Sequence, residues 1–232
     1  MNVTSSTYLI TGASRGIGRH LMNHFATAGH PVIGVYNGTA PSGLVEHYHQ
    51  VDLTDEASVK AFFRIVEPNL KNVVLINAAG ITYNALAHKA SLDAWRQVID
   101  INLVALFNLT KLLLPIMRQD GYGRVISFSS VVAQTGVMGT SAYAASKSAL
   151  WGLGKALAAE NAFKNVTINA INLGYFDIGM IDKVPTDMLT DIINKIPAKR
   201  LGRPEEIVDT VEYIIRSGYL NGTVIDLNGG LF

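Results

Sequence analysis

Residues 11–18 read Thr11-Gly12-Ala13-Ser14-Arg15-Gly16-Ile17-Gly18 and follow directly on the short apolar run Tyr8 to Ile10. Beyond them, apolar residues recur at a spacing of three or four, which predicts a helix packed on a sheet: Ile17, Leu21, Phe25 and Ala28. Gly12 permits a tight turn, Gly16 lets the backbone approach a pyrophosphate, and Gly18 allows helix and strand to pack closely. The stretch is therefore predicted to be a strand-to-helix turn whose backbone N–H groups bind phosphate. A structural turn without a ligand is the alternative interpretation.

Short apolar, β-branched runs recur along the rest of the chain, separated by longer stretches of helical period. They are Val32 to Tyr36, Tyr48 to Val51, Val73 to Ile76, Val125 to Phe128, Val166 to Ile171 and Thr223 to Leu227. Helix starts are predicted at Thr54, Ser91 and Pro204, because acidic residues follow each of them. Alternating strands and helices imply parallel strands joined by helical crossovers, and no repeat or linker divides the chain. We therefore predict an α/β fold in which residues 1–232 form a single Rossmann-type domain, a doubly wound, seven-stranded parallel sheet with helices on both faces. A ligand is expected beyond the carboxyl ends of the strands.

The composition argues against several classes of function. Nineteen Lys and Arg residues against eighteen Asp and Glu residues give a formal net charge of +1, without the basic excess of a nucleic-acid-binding protein. The chain has no cysteine, so redox chemistry needs a bound cofactor. Two histidine pairs, His20 with His24 and His47 with His49, lack a further ligand, so no metal site is predicted. The amino terminus lacks the pattern of a secretory signal and no run of about 18 apolar residues occurs, which predicts a cytoplasmic protein with no membrane partner.

The glycine spacing at positions 12, 16 and 18 resembles the fingerprint of the short-chain dehydrogenase/reductase family. The resemblance extends over nearly the whole chain. Asp52, with Leu53 beside it, resembles the acid of that family that contacts adenine, and Asn77-Ala78-Ala79-Gly80 resembles its Asn-Ala-Gly segment beside the cofactor. The resemblance therefore implies a bound nicotinamide dinucleotide.

The end of the second strand indicates which dinucleotide is preferred. NAD-preferring members of the family place an Asp or Glu there, which binds the ribose 2′-hydroxyl and repels a 2′-phosphate. This chain has Asn37, and Arg15 resembles the basic residue that holds the phosphate in NADPH-preferring relatives. The resemblance therefore implies NADP(H). An exposed, solvated arginine is the alternative for Arg15.

A tyrosine and a lysine in a predicted helix suggest the chemistry. Tyr143 and Lys147 are four residues apart, so that they share one helix face, and an ammonium beside a phenol lowers the pKa of the phenol. By resemblance, Ser130 orients a substrate carbonyl, Tyr143 exchanges the proton, and Lys147 both lowers the pKa of Tyr143 and binds the nicotinamide ribose. Asn102 resembles the fourth catalytic member, which holds a water in the proton relay. An ordinary helical asparagine is the alternative for Asn102.

Two positions after the sixth strand depart from the family pattern. Leu173 replaces a proline before Gly174, and Ile178 replaces a threonine whose hydroxyl binds the nicotinamide carboxamide. The backbone N–H of Phe176 or Ile178 remains available for that carboxamide. Residues Gly179 to Lys199 are expected to form a lid over the substrate, and their apolar side chains are equally compatible with core packing. The stretch between Tyr36 and His49 is short, so one helix is expected to be reduced or missing.

The overall pattern is most similar to the 3-oxoacyl-(acyl carrier protein) reductases of this family, which implies an NADPH-dependent ketoreductase acting on a 3-oxoacyl thioester. Two alternatives remain open: a reductase or dehydrogenase for another small carbonyl or alcohol, and a non-catalytic NADP-binding scaffold. Scattered basic residues are compatible with an acidic carrier protein or with solvated surface: Lys111, Arg118, Arg124 and Arg203. The family also implies a homodimer or homotetramer, built from the helices around Asn102 to Met117 and Ser141 to Phe163, with Asn228-Gly229-Gly230 near another subunit.

Overall fold

The structure, a computed structural model, describes residues 6–41, 47–179, 181 and 184–231. Its centre is a seven-stranded, wholly parallel sheet with the strand order β3-β2-β1-β4-β5-β6-β7. The strands are β1 Tyr8–Thr11, β2 Val32–Tyr36, β3 Tyr48–Gln50, β4 Val74–Asn77, β5 Gly123–Ser130, β6 Val166–Leu173 and β7 Val224–Leu227. Each predicted run thus forms a strand, and the predicted seven-stranded sheet is confirmed.

Helices cover both faces of this sheet. They are α1 Gly16–Thr27, α2 Glu56–Val66, α3 Leu92–Ile99, α4 Ala105–Asp120, α5 Val132–Thr135, α6 Ser141–Asn161, α7 Thr186–Lys195 and α8 Pro204–Arg216. On one face, α1 and α8 bury Phe25 and Val211 against the strands. On the other, α2, α4 and α6 bury Phe62, Leu113 and Leu157. The two apolar clusters hold the sheet between two helical layers, which is the doubly wound arrangement that the sequence predicts.

The strand order reverses at the centre of the sheet. β1 pairs with β2 on one side and with β4 on the other, so that Thr11 lies opposite both Val35 and Asn77. The chain therefore leaves β1 and β4 in opposite directions and opens a crevice at their carboxyl ends. In doubly wound sheets this switch point is the place where a ligand binds.

The predicted helix starts are correct in two of three cases. Ser91 caps α3, because its hydroxyl accepts a hydrogen bond from Ala94 N at 3.3 Å, and α8 begins at Pro204. Thr54 does not cap α2. Asp55 does, since its carboxylate accepts hydrogen bonds from two backbone N–H groups of the first turn at 3.1 Å each. A carboxylate one residue later satisfies these donors, and the hydroxyl of Thr54 instead donates to Asp52.

Two predicted irregular regions are described only in part. The stretch between β2 and β3 contains residues 42–46, which lie outside the described residues, so the expected loss of a helix there is not resolved. In the expected lid, residues 180, 182 and 183 lie outside the described part, whereas α7 supplies a helix at 186–195.

By length and composition alone, the continuous helical run Leu92–Asp120 is apolar enough to cross a membrane. Within this run, Leu106, Leu109 and Leu113 are fully buried inside the protein. Packing inside the protein therefore accounts for part of its apolar character, since 33% of its most apolar window is buried.

Candidate active site

The glycine turn leaves no room for side chains beneath α1. Gly12 and Gly16 have positive φ angles of 66° and 52°, a conformation that strains other residues. A β-carbon on Gly12 would lie 2.9 Å from the Cα of Ala79, and one on Gly18 would clash with the carbonyl oxygen of Gly12. The backbone is thus open to an anion at the start of a helix, where the dipole favours negative charge. This cradle fits the pyrophosphate of a dinucleotide.

Thr11 joins the glycine turn to the neighbouring loop. Its hydroxyl accepts hydrogen bonds from Ala78 N and Ala79 N, at 3.1 Å each. The two loops that border the crevice are therefore held at a fixed separation. Sequence reasoning gave Thr11 no role, although its position as the last residue of β1 was a signal for one.

The segment after β4 brings small residues to the centre of the site. Asn77 is buried within the sheet, where its amide donates to Ser127 Oγ at 3.2 Å. A β-carbon on Gly80 would lie 3.3 Å from Asn102 Oδ1 and 3.5 Å from Lys147 Nζ. Glycine at position 80 therefore lets this loop pack closely against two of the predicted catalytic residues.

An open cleft of about 370 Å³ lies between the carboxyl ends of β2 and β3 and helix α3. Two of the residues predicted to contact the adenosine part of the cofactor, Asn37 and Asp52, border this cleft. Its lining residues are Asn37, Asp52, Thr54, Asp93, Arg96, Gln97, Asp100 and Ile101. The hydroxyl and the backbone N–H of Thr54 donate to Asp52 and hold the pKa of that carboxyl below its ordinary value. Leu53 packs beneath the cleft, against the core. Sequence reasoning missed the α3 wall, since no local pattern shows that α3 reaches this edge.

The remaining predicted cofactor residues surround the start of α1. Arg15 is exposed and immediately precedes the helix, with its backbone extended at a φ of −154°. Ser14 is buried beside it, and Ile17 packs on the core below. The guanidinium of Arg15 is thus free to move in solvent near the cradle. It is not among the residues that line the 370 Å³ cleft.

Tyr143 and Ser130 meet at the carboxyl edge of the sheet. Ser130 is the last residue of β5, and Tyr143 lies in the first turn of α6 with only 7% of its surface exposed. Burial raises the pKa of Tyr143 above its ordinary value, because a phenolate is poorly solvated there, while a hydrogen bond with Ser130 acts in the opposite direction. The phenol is therefore held in its protonated form.

Lys147 is buried one helical turn further along α6. Its ammonium donates to the carbonyl oxygen of Phe128 at 2.7 Å and lies 5.6 Å from the centre of the Tyr143 ring. Burial lowers the pKa of Lys147 to about 8. The net effect on Tyr143 is a raised pKa, because desolvation of the phenol is the largest cause, and a lowering of that pKa by Lys147 stays a prediction.

Asn102 is fully buried in a π-helical turn, Asp100–Val104, between α3 and α4. Its Oδ1 accepts from Ile81 N at 2.8 Å, while its Nδ2 donates to Ile81 O at 2.9 Å and to Ser146 Oγ at 3.1 Å. The side chain therefore fixes the loop after β4 against α6. With these bonds formed, the side chain positions its neighbours, and the role of Asn102 in holding a water stays a prediction. Ser146, which sequence reasoning missed, completes this link by donating to Tyr143 O at 2.8 Å.

The apolar side chains of the turn after β6 pack into the core. Leu173 ends β6 with its carbonyl accepting from Val131 N at 2.8 Å, and Gly174 N donates to Leu227 O at 2.9 Å. Phe176 is buried, and Ile178 packs on the cluster beneath α1 and α8. The proline and threonine of the family pattern are thus replaced by residues that stabilise the turn through packing. Backbone groups of Gly174 and Phe176 still border the site.

Two of the four basic residues that were compatible with a carrier-protein surface form hydrogen bonds within the chain. Arg124 is only 5% exposed and donates to carbonyl oxygens of Ile215, Gly123 and Asn165 at 2.8–3.1 Å. The suggestion that Arg124 meets a partner is therefore wrong, since its guanidinium is already committed inside the protein. Arg118 donates to Asn161 Oδ1 at 2.8 Å but remains at the surface.

No cluster of three or more possible metal-ligating His, Asp or Glu side chains occurs within the described ranges. The site is instead built from backbone N–H groups, hydroxyls and one lysine. These groups suit binding of a phosphate-bearing cofactor and transfer of a proton.

Comparisons with known proteins agree with this arrangement. A family model described as short chain dehydrogenase matches residues 6–189. The acetoacetyl-CoA reductase of Shinella zoogloeoides is 38% identical over 240 positions, covering 98% of this chain and 99% of that protein. The 3-oxoacyl-[acyl-carrier-protein] reductase of Escherichia coli K12 is 31% identical over 242 positions, covering 100% and 99%. Nodulation protein G of Azospirillum brasilense is 36% identical over 237 positions, covering 96% of each chain. The chain is therefore an oxidoreductase that belongs to the short-chain dehydrogenase/reductase family.

Proposed function

We propose that the protein is an NADPH-dependent ketoreductase that reduces the 3-oxo group of an acyl thioester to a secondary alcohol. The observation that carries the proposal is the meeting of Ser130, Tyr143 and Lys147 at the sheet edge beside the glycine cradle. Relatives named for reduction of acetoacetyl-CoA and 3-oxoacyl carrier protein support the choice of a thioester.

The raised pKa of Tyr143 suits this residue to donate a proton during reduction. A protonated phenol at neutral pH is a proton donor, and reduction of a carbonyl requires a proton on the developing alkoxide. The bound nicotinamide supplies the hydride that makes this alkoxide. Ser130 lies close enough to the phenol to lower its pKa, and in the proposed reaction it orients the carbonyl oxygen towards Tyr143.

Lys147 performs two tasks in the proposal. Its ammonium is held at the sheet edge by Phe128 O and would donate a hydrogen bond to a ribose hydroxyl of the cofactor. With a pKa of about 8, it titrates near neutral pH and is suited to resupply a proton to the tyrosine side of the site.

A spectrophotometric assay tests the function. We expect NADPH absorbance at 340 nm to fall when acetoacetyl-CoA is added, at a kcat/KM at least about tenfold above that for simple ketones. Oxidation of NADPH with simple ketones alone would instead favour a reductase of another small carbonyl. Binding of NADPH without consumption on any substrate would identify a non-catalytic scaffold.

Asn37→Asp is expected to shift the cofactor preference from NADPH towards NADH. Asn37 is exposed at the end of β2 and borders the cleft that would hold adenosine, so a carboxylate there repels a 2′-phosphate. The ratio of kcat/KM for NADPH to that for NADH should fall by about tenfold or more. Steady-state kinetics with both cofactors measures it. Asp93→Asn, on the opposite wall of the cleft, is the control. Equal ratios of kcat/KM in wild type and Asn37→Asp would show that Asn37 does not lie beside the 2′-phosphate.

An oligomer built from α4 and α6 is part of the proposal. The outer side of α6 carries small residues in one helical stripe, with Ala145, Gly152, Ala156 and Ala159 exposed. On α4, Phe107 is 40% exposed, and Val104 just before it is 51% exposed. Small residues let helices of two subunits approach closely, and the apolar side chains gain burial from contact.

Gly152→Glu is expected to convert the oligomer into monomers. A β-carbon at position 152 has open space within one subunit, so the substitution leaves the fold intact. Across a close helix pair, however, the carboxylates of the two subunits would meet without partners. Light scattering coupled to gel filtration measures the mass. An unchanged mass would place the subunit contact elsewhere.

A further inference from the structure

Three polar side chains form hydrogen bonds with one another beside the carboxyl end of β6. Asn172 lies in β6 and is fully buried, and its Nδ2 donates to Gln134 Oε1 and to Asp226 Oδ1, each at 2.6 Å. Gln134 Nε2 also donates to Asp226 Oδ1, at 3.1 Å. We call these three side chains the polar bridge, because they connect α5, β6 and β7.

The strand end of the polar bridge is fixed by the sheet. Asn172 lies opposite Asp226 in the parallel ladder between β6 and β7, so the register of the strands holds the two residues together. The acceptor on β7 is a carboxylate, and hydrogen bonds to a charged acceptor are stronger than those between neutral groups. Gln134 is therefore attached to two residues that are already held in place by the sheet.

The helix end of the polar bridge lies within one turn of Ser130. Val132 begins α5, and its N–H donates to Ser130 Oγ at 3.3 Å. Gln134 N donates to Val131 O at 2.9 Å, so Gln134 belongs to the same turn. A hydroxyl accepts through its lone pairs and donates its single proton, so the bond from Val132 leaves the proton of Ser130 for another acceptor. The direction of the Ser130 hydroxyl therefore depends on the position of α5.

On its other side, α5 packs against α6, the helix that carries Tyr143. Ser148 Oγ donates to Ala133 O at 3.4 Å, which is long for a hydrogen bond from a hydroxyl. The two bonds that Asn172 donates in the polar bridge are much shorter, at 2.6 Å each. Of these polar links, the bridge therefore restrains α5 more strongly.

We propose that the polar bridge positions α5 so that Ser130 presents its hydroxyl to the substrate carbonyl beside Tyr143. The three side chains of the bridge act through the first N–H group of α5, so they are positioning residues rather than catalytic ones. This inference rests on the proposed function, because the carbonyl is that of the 3-oxoacyl thioester. Loss of the bridge is expected to lower turnover while leaving the affinity for NADPH nearly unchanged.

A charge swap at the two exposed members of the polar bridge tests the proposal. Gln134→Glu places a second carboxylate against Asp226, and the two like charges repel. Adding Asp226→Asn leaves one carboxylate and one amide, so that three hydrogen bonds form again with the donor on the β7 side. We expect kcat with acetoacetyl-CoA to fall about tenfold in the single variant and to return to within about threefold of wild type in the double variant.

The Kd for NADPH should change less than about threefold in both variants, because the bridge acts on Ser130. Both substituted side chains are exposed, so the fold is kept. An unchanged kcat in Gln134→Glu would overturn the proposal, and so would a folded double variant without recovery of turnover.

Asn172→Ala removes the centre of the polar bridge and has a matched control on the same strand. Asn169 is 2% exposed, and its Nδ2 donates to Leu220 O at 2.9 Å, in the loop before β7. We expect kcat to fall about tenfold in Asn172→Ala and to stay within about twofold in Asn169→Ala, although both variants lose stability. Equal losses of kcat would overturn the proposal, because weakening of the sheet would then explain them. If Asn172→Ala does not fold, the charge swap decides.

Hydrogen exchange measured by NMR gives a readout that does not depend on turnover. Thr135 N donates to Val131 O and Gly136 N donates to Val132 O. These two amides should exchange about tenfold faster in Gln134→Glu than in wild type, and more slowly again in the double variant. Faster exchange in a protein that reduces no carbonyl would support the bridge while refuting the proposed function. Unchanged exchange at both amides would refute the bridge even in an active ketoreductase.

Discussion

Tyr143→Phe is expected to lower kcat by about a thousandfold while leaving the fold and the Kd for NADPH unchanged. The phenol is buried and its pKa is raised, so at neutral pH it carries a proton that it can donate in the proposed reaction. Phenylalanine keeps the ring and its packing but has no proton to donate, and acid–base catalysis of this kind contributes about 10² to 10⁴ in rate. Stopped-flow reduction of acetoacetyl-CoA and a fluorescence titration with NADPH measure the two quantities.

Tyr219→Phe is the matched control for this variant. Tyr219 is fully exposed, so losing its hydroxyl should change neither kcat nor cofactor affinity. A Tyr143→Phe protein with activity near that of wild type would show that another group donates the proton.

Lys147→Met is expected to abolish most activity and to stabilise the protein at neutral pH. Turnover should fall by about a hundredfold or more, because the variant lacks the cation that is proposed to bind the ribose and to resupply a proton to Tyr143. The side chain is only 5% exposed, and burial lowers the pKa of its ammonium from 10.5 to about 8. Methionine fills a similar volume without a charge to desolvate. Against this, the hydrogen bond to Phe128 O is lost, so the expected gain in the free energy of unfolding at pH 7 is about 2 kcal/mol.

The pH dependence of that gain identifies its cause. Below about pH 8, Lys147 carries its proton in both the folded and the unfolded chain, and the folded state bears the whole desolvation cost. Between about pH 8 and 10.5 the unfolded chain binds more protons than the folded one at this position. The stability of wild type relative to Lys147→Met therefore rises with pH across this window, and the gap between them closes.

Urea unfolding at pH 7, 8, 9 and 10 measures this gap. Lys155→Met is the control, since Lys155 lies exposed on α6 and should show no comparable gap. A constant difference between wild type and Lys147→Met over this range would contradict a buried ammonium at position 147.

The fold was predictable because its determinants are local. Alternating runs of β-branched residues and amphipathic stretches specify strands and helices by their period, and glycines 12, 16 and 18 mark a tight turn between the first strand and the first helix. The sequence predicted Thr54 as the cap of α2, whereas Asp55 caps it. Both are good capping residues, and only the path of the chain selects one of them.

The candidate site was predictable in membership but not in detail. Ser130, Tyr143 and Lys147 were identified from their places along the chain and from family resemblance, and the structure brings them to one edge. The roles of Thr11 and Ser146 went unnoticed, because each hydroxyl accepts hydrogen bonds from a group on another element, the backbone of the loop after β4 for Thr11 and the side chain of Asn102 for Ser146. Arg124 looked like a surface residue, yet three carbonyl oxygens from separate segments enclose it.

The sequence by itself determined the succession of strands and helices along the chain, the glycine turn and the side chains proposed to react, because these depend on motifs and periods within short stretches of chain. Only the tertiary structure decided the burial that raises the pKa of Tyr143 and the hydrogen bonds of Asn102. The physical reason is that desolvation and packing arise between groups far apart in the chain. Tyr143 is buried by elements that no local pattern places around it, and burial is what raises its pKa.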